Sequence, residues 1–181
     1  MVRFLVAPVA VVLAFAVAVA APVPKAAKPA VGDKNTNDLV TKYKDKLTLA
    51  ASSQWEQWPV GHAFDGNEQT SWYSNGGDAP QNGKTPTITA TFPEDVRVKR
   101  VTILGNRDPQ YPRGYFVLEG KVEFLDKDDK VISTHDLKGE GEKHDFDLIL
   151  KKLTTVRAVR FTMTKDEGQS SCVGLGEFQI E

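Results

Sequence analysis

Residues 87–92, TITATF, alternate polar and apolar side chains without a break. Ile88, Ala90 and Phe92 fall on one face and three threonines on the other. A strict period of two marks a half-buried β-strand, because successive side chains of an extended chain point to opposite faces. The same alternation recurs downstream in Val101 and Ile103, in Phe116 and Leu118, in Val122 and Phe124, and at Val131 or Ile132. It returns in Phe146, Leu148 and Leu150, set against Asp145, Asp147 and Ile149, and in Val159, Phe161 and Met163, set against Arg160, Thr162 and Thr164. Phe178 and Ile180 form the inward face of a last strand. Turn-forming runs separate these segments: Phe92 to Asp95, Asp126 to Lys130, and Lys138 to Gly141. Roughly eight short strands, with no long amphipathic helix and no internal repeat, predict an all-β fold. Its expected form is an antiparallel two-sheet β-sandwich of the jelly-roll type over residues 47–181.

Upstream of the strands the composition changes. The first twenty residues carry one cation, Arg3, and an apolar run ending in Ala18, Val19 and Ala20. That pattern fits a cleaved export signal over 1–20 and a secreted protein, extracellular or periplasmic; the alternative is a retained anchor. Residues 21–46 read as a flexible linker rich in Ala, Pro and Lys, with Asp38 to Leu47 able to form one or two helical turns. Removing the leader takes away Arg3 and no acid. The 23 basic residues become 22 against 24 acidic ones, so the formal charge moves from −1 to −2. Such a balance exerts no long-range pull on nucleic acid or on an anionic membrane. Cys172 is the only cysteine, which rules out an internal disulfide and suits a small buried apolar side chain.

No sequence signature of catalysis appears. There is no glycine-rich phosphate loop, nucleophile elbow or zinc-spaced Cys/His cluster, and His62, His135 and His144 are scattered. Residues 126–130, DKDDK, place Val131 where a calcium loop needs glycine and read as a solvated hairpin turn. The expectation is a protein that is not an enzyme. Residues 63–74, AFDGNEQTSWYS, hold oxygen donors more densely. Asp65-Gly66-Asn67 is a strong turn former in its own right. Asp65, Asn67 and Thr70 could also serve a hard cation, which takes six to eight oxygens, but a second acid from elsewhere would be needed.

Residues 49–74, LAASSQWEQWPVGHAFDGNEQTSWYS, followed by VKRVTILGNRD at 98–108 and VGLGEFQIE at 173–181, resemble the discoidin or coagulation-factor type C domain. This is the galactose-binding-like jelly roll shared by many carbohydrate-binding modules. The resemblance covers roughly Leu47 to Glu181 and is most specific in the A-x-D-G-N-x-x-T-x-W spacing from Ala63 to Trp72 and in Glu177 of the last strand. It implies a structural calcium ion held by Asp65, Asn67, Thr70 and Glu177, with carbonyls near His62 and Gly176 completing the shell. It implies Trp72 as a pin beneath the loop. It also places a glycan-binding surface on the loops at one end of the sandwich, which here carry Trp55 and Trp58 (residues 53–62) and Arg107, Tyr111 and Arg113 (residues 105–115). Flat aromatic faces suit sugar rings, and Arg, Glu and Asn suit their hydroxyls. Alternatively one Trp plugs the sandwich end and the arginines pair with Asp108 or Glu56. The family's frequent terminal disulfide and its sugar-reading His and Arg are not matched, so galactose specificity does not carry over.

The expected function is a secreted, non-catalytic carbohydrate-binding module with glycans or glycoconjugates as partners. The competing expectation is an adhesion domain that binds protein or phospholipid through exposed loop aromatics.

Overall fold

The computed structural model describes residues 39–181. The export signal read over 1–20 and residues 21–38 of the linker read over 21–46 lie outside the described residues. One short helix, α1 (Leu39–Tyr43), precedes seven antiparallel strands: β1 (Thr48–Ala51), β2 (Trp72–Tyr73), β3 (Thr87–Gly105), β4 (Val117–Leu125), β5 (Val131–Lys138), β6 (Phe146–Asp166) and β7 (Gly174–Ile180).

Two of these strands are far longer than the sequence pattern suggests. β3 has 19 residues and β6 has 21, and they pair with each other along almost their whole length. Thr87 lies opposite Thr162 at one end and Ile103 opposite Phe146 at the other. Their first and second halves belong to different layers. Residues 87–98 of β3 and 154–166 of β6 join β1, β4 and β5 in one sheet, while residues 100–105 of β3 and 146–149 of β6 join β7 and β2 in the second. The strands change layer at two irregularities, between Thr91 and Val96 and between Val98 and Arg100, where residues 150–153 of β6 bulge out of register. Phe92 to Asp95 is therefore not a turn between strands. Pro93 has no N–H for the ladder, so the pairing lapses there and the strand bends without ending.

Three further expectations shift for the same kind of reason. Val117 is buried while Phe116 and Leu118 are only half-buried, because the pairing of β4 with β6 slips by a residue around Glu119. Val131 and Ile132 are both exposed, at 40% and 49%; β5 is an edge strand and turns Ser133, His135 and Leu137 inward instead. The two short strands expected at 145–150 and 159–164 are one strand, β6.

The core lies between the layers. Phe161 of the first sheet meets Phe146 and Phe178 of the second at ring-centroid distances of 5.1 and 6.5 Å, and Phe178 continues to Phe64 at 5.3 Å. All four rings are buried. The Phe161 ring requires a glycine at 120, opposite Met163: a Cβ there would stand 2.4 Å from the ring's Cζ and 2.9 Å from the Thr162 carbonyl oxygen. The hairpin at 126–130 forms as expected. The Asp126 carboxylate accepts the N–H groups of Asp128 and Lys130 at 2.8 and 3.0 Å, and these bonds hold its pKa below the ordinary value.

Candidate functional site

Trp55 and Trp58 are set by a tight turn. The Trp58 N–H donates to the Trp55 carbonyl at 3.0 Å, and both residues are pinned to β2 through Trp55 N–H to Tyr73 O and Tyr73 N–H to Trp58 O. β2 itself pairs with β7, so the tryptophan turn hangs from the second sheet. Trp72 is fully buried beneath it, its indole N–H donating to Ser53 O at 3.2 Å; it is a core pin, as expected, and presents no face to a ligand.

The facing loop, residues 106–115, leaves β3 after Gly105 and is organised by one side chain. Asn106 is fully buried. Its Oδ1 accepts from Ser71 Oγ (3.0 Å), Tyr73 Oη (2.9 Å) and the Asp108 N–H (3.0 Å), and its Nδ2 donates to the carbonyls of Tyr111 (2.7 Å) and Gly114 (3.2 Å). Both amide donors are used and three donors converge on the one oxygen, which gives the loop a single shape. At its end the chain passes through the left-handed region twice, at Gly114 (φ 87°) and at Tyr115 (φ 65°). The second is uncommon for a tyrosine, and its ring meets Tyr73 at 5.2 Å.

Together these segments stack aromatic rings edge to face. Trp58 lies 5.7 Å from Tyr73 and 5.6 Å from Tyr111; Tyr111 lies 5.9 Å from Tyr73 and 5.7 Å from Tyr115. They wall an open cleft of about 540 Å³ completed by Trp55, Gln57, Cys172 and Gln169 to Ser171. Trp55 is 43% exposed and Tyr111 37%, so both offer ring surface to solvent. No charged side chain lines the cleft. Burial pushes the Tyr73 phenol well above its ordinary value, with the Asp108 carboxylate adding to the shift, and burial raises Tyr115 and the Cys172 thiol too. All three stay protonated at neutral pH, so the side chains lining the cleft are uncharged and offer hydroxyl, thiol and amide groups, with the Asp108 and Glu167 carboxylates acting on its tyrosines from outside the lining. On its other side Trp58 walls a smaller depression of about 400 Å³ with His62, Thr70, Asp108 and Gln110.

Of the five residues assigned to ligand binding, Trp55, Trp58 and Tyr111 meet in the cleft. Arg107 does not. Its guanidinium makes a two-pronged ion pair with Asp145 at 2.8 Å and donates to Gly105 O, clamping the loop base to the start of β6. The partner is Asp145, which the sequence pattern gave no reason to choose, whereas Asp108 takes the Trp58 indole N–H at 3.0 Å. Arg113 is exposed and outside the cleft lining. Tyr73, Tyr115, Asn106 and the 169–172 turn were not foreseen. The glycine before Tyr115 and the polar run Gly168 to Ser171 were the only local signals.

The loop at residues 65–70 closes on itself. Asp65 Oδ1 accepts the Asn67 N–H at 2.8 Å, while Thr70 Oγ1 donates to Asp65 Oδ2 at 2.9 Å and lies 2.8 Å from the Asn67 carbonyl oxygen. Gly66, at φ 78° with open space around its Cβ position, makes the reversal. Its N–H donates to Glu177 Oε1 at 2.7 Å, so the loop and the last strand do meet across the expected span of sequence. Glu177 is 3% exposed. Among the described residues no three His, Cys, Asp or Glu side chains group together. Asp65, Asn67, Thr70 and Glu177 carry oxygen donors of the kind a hard cation takes, two of them carboxylates, and here Asn67 Oδ1 accepts the Gln69 N–H at 3.1 Å.

A family model described as the F5/8 type C domain matches residues 48–178. Among solved structures, the family 32 carbohydrate-binding module of C. perfringens NanJ in complex with galactose is similar at a TM-score of 0.62 and 15% identity, over 76% of this chain and 94% of that one. The lectin domain of lectinolysin complexed with Lewis B antigen is similar at a TM-score of 0.60 and 13% identity, over 74% and 91%. A third likeness, a module from a family 31 glycoside hydrolase of Clostridium perfringens, has a TM-score of 0.60 and 19% identity, over 75% and 90%. No curated protein matches the chain.

Proposed function

This chain belongs to the F5/8 type C domain family, and on that footing we propose that it is a secreted, non-catalytic carbohydrate-binding module. The observation that carries the reading is the neutral aromatic cleft walled by Trp55, Trp58 and Tyr111. A pyranose stacks its C–H face on such rings while its hydroxyls exchange hydrogen bonds with Gln57, Gln169, Ser170 and Ser171. With Arg107 committed to Asp145, no cation in the cleft is available to a carboxylate or sulfate. The preferred ligands are therefore neutral sugars. An affinity in the millimolar to micromolar range, about −4 to −8 kcal/mol per site, is expected for one shallow site of this kind. On a glycan array, neutral glycans are expected to be retained and their acidic counterparts not, with Trp55→Ala weakening retention roughly tenfold. An array silent for every neutral glycan would remove this function.

The same reading includes one structural calcium ion held by Asp65, Asn67, Thr70 and Glu177. When bound, the ion supplies positive charge that joins the 65–70 loop to the last strand. Since the folded chain alone would assemble the set, calcium should stabilise it by linkage. Saturating calcium is expected to raise the melting temperature by about 5 to 10 °C and EDTA to reverse the rise. Identical melting curves under both conditions would exclude the ion and leave the loop as a turn capped by Asp65.

A further inference from the structure

Five aromatic side chains border the cleft, and no cation lines it. Trp55 and Tyr111 are exposed, Trp58 and Tyr115 are half-buried, and Tyr73 lies buried against three of the others. The face of an aromatic ring is the negative end of its quadrupole. A group of such rings therefore attracts positive charge as well as the C–H face of a sugar.

Behind this wall stand carboxylates that no cation neutralises. Asp108 is buried, and its side-chain partners are neutral donors: the Trp58 indole N–H at 3.0 Å and the Gln110 N–H at 2.8 Å. An indole that donates to a carboxylate becomes more electron-rich, which strengthens its pull on a cation. Glu167 opens the turn that carries Gln169 to Cys172, and its Oε1 is buried with no hydrogen-bond partner. That oxygen lies 3.0 Å from where a Cβ on Gly114 would stand, and Ser170 Oγ lies 3.5 Å from the same point. The carboxylate thus sits where the 106–115 loop meets the 167–172 turn, the two segments that bring Tyr111, Tyr115 and Ser170 to the cleft. Asp166, one residue earlier, is buried and has Oδ2 in the same condition.

Among the described residues none of these three acids has an ion pair. Lys165, their neighbour in sequence, is paired with Glu119 at 3.3 Å. Arg107 is paired with Asp145, Lys143 donates to the Pro112 carbonyl at 2.8 Å, and Arg113 is exposed outside the lining, where solvent screens it. A buried carboxylate without a counter-ion is costly, and a cation brought into the cleft lowers that cost. A neutral sugar leaves it unchanged and an acidic one adds to it. The uncharged lining separates neutral ligands from acidic ones; the carboxylates behind it add a preference for a positive ligand over a neutral one.

We propose that the cleft is an ammonium-selective aromatic site, which binds a ligand carrying a protonated or quaternary amine more tightly than its neutral counterpart. Within the carbohydrate reading, on which this rests for the identity of the ligand, the favoured class is a sugar with a free amine. Trp55 and Tyr111 supply exposed ring surface for the ammonium group, and Glu167 acts from behind Tyr115 as a positioning charge without touching the ligand.

The test is a glycan array on which sugars with a free amine are printed beside their N-acetylated twins, followed by isothermal titration of the full chain with the best pair and with tetramethylammonium chloride as the bare cation. The amine should bind roughly tenfold more tightly than its twin at low salt, and the ratio should shrink at high salt. Tetramethylammonium should compete with the amino sugar, and Trp55→Ala should weaken it roughly tenfold, which places the cation in the cleft. Glu167→Gln keeps the shape and removes the charge; it should lower the amine-to-twin ratio to about threefold, with the melting temperature checking that the variant is folded. If that variant does not fold, the salt dependence and the competition decide. The proposal fails if the neutral twins bind as tightly as the amines, if the ratio is unmoved by salt, or if tetramethylammonium neither competes nor responds to Trp55→Ala; neutral glycans retained on the array would then leave the carbohydrate reading standing. A silent array with tetramethylammonium still bound in the cleft would remove the carbohydrate reading and keep the ammonium site. Silence in both removes both.

Discussion

Asn106→Leu is expected to destabilise the domain by about 3 to 5 kcal/mol and to abolish ligand binding in the cleft. Leucine has the same number of side-chain heavy atoms, branched at the same carbon, so it leaves no void and the effect is chiefly one of lost bonds. The Ser71 and Tyr73 hydroxyls, the Asp108 N–H and the carbonyls of Tyr111 and Gly114 would all lose the partner they now share. Ser71 and Tyr73 are buried too, so solvent cannot replace it without the loop opening. Urea unfolding would measure the loss as a lower midpoint. Ser71→Ala, which removes one bond from the same hub, is expected to cost about 1 kcal/mol. Equal effects from the two variants would mean that Asn106 is not the organising group.

Trp58→Ala is expected to reduce glycan affinity roughly thirtyfold or more, a loss of about 2 kcal/mol or above. Trp58 touches Tyr73 and Tyr111, separates the two depressions, and bonds Asp108. Its removal merges the depressions and leaves the Asp108 carboxylate without its indole donor. Trp58→Phe keeps an aromatic face but not the N–H, and an intermediate affinity is expected from isothermal titration. Wild-type affinity in the alanine variant would move the ligand site away from this cleft.

The alternation around TITATF was sufficient for the all-β class because a period of two is a local property of extended chain, readable wherever one face is buried. Phe161, Met163, Phe178 and Ile180 were legible as core for the same reason, and all are buried. The family spacing from Ala63 to Trp72 likewise located a loop that the structure joins to Glu177. It did not disclose that β3 and β6 are continuous through Pro93 and through residues 150–153, since a bend and a turn have the same local composition.

The cleft divides along a similar line. Trp55, Trp58 and Tyr111 could be named from the sequence because exposed aromatics in loops are conspicuous. Tyr73 and Tyr115 could not, since one sits in a two-residue strand and the other depends on a backbone angle set by Asn106 and Gly114. Arg107 was misassigned because an arginine looks alike whether it awaits a ligand or holds Asp145, 38 residues on. What the amino-acid sequence determined by itself was everything periodic or locally spaced: the strands, the turn at Asp65 to Thr70, and the aromatic content of the loops. What only the tertiary structure decided was the pairing of groups distant in the chain, because a hydrogen bond or an ion pair is set by distances in space that no local pattern encodes.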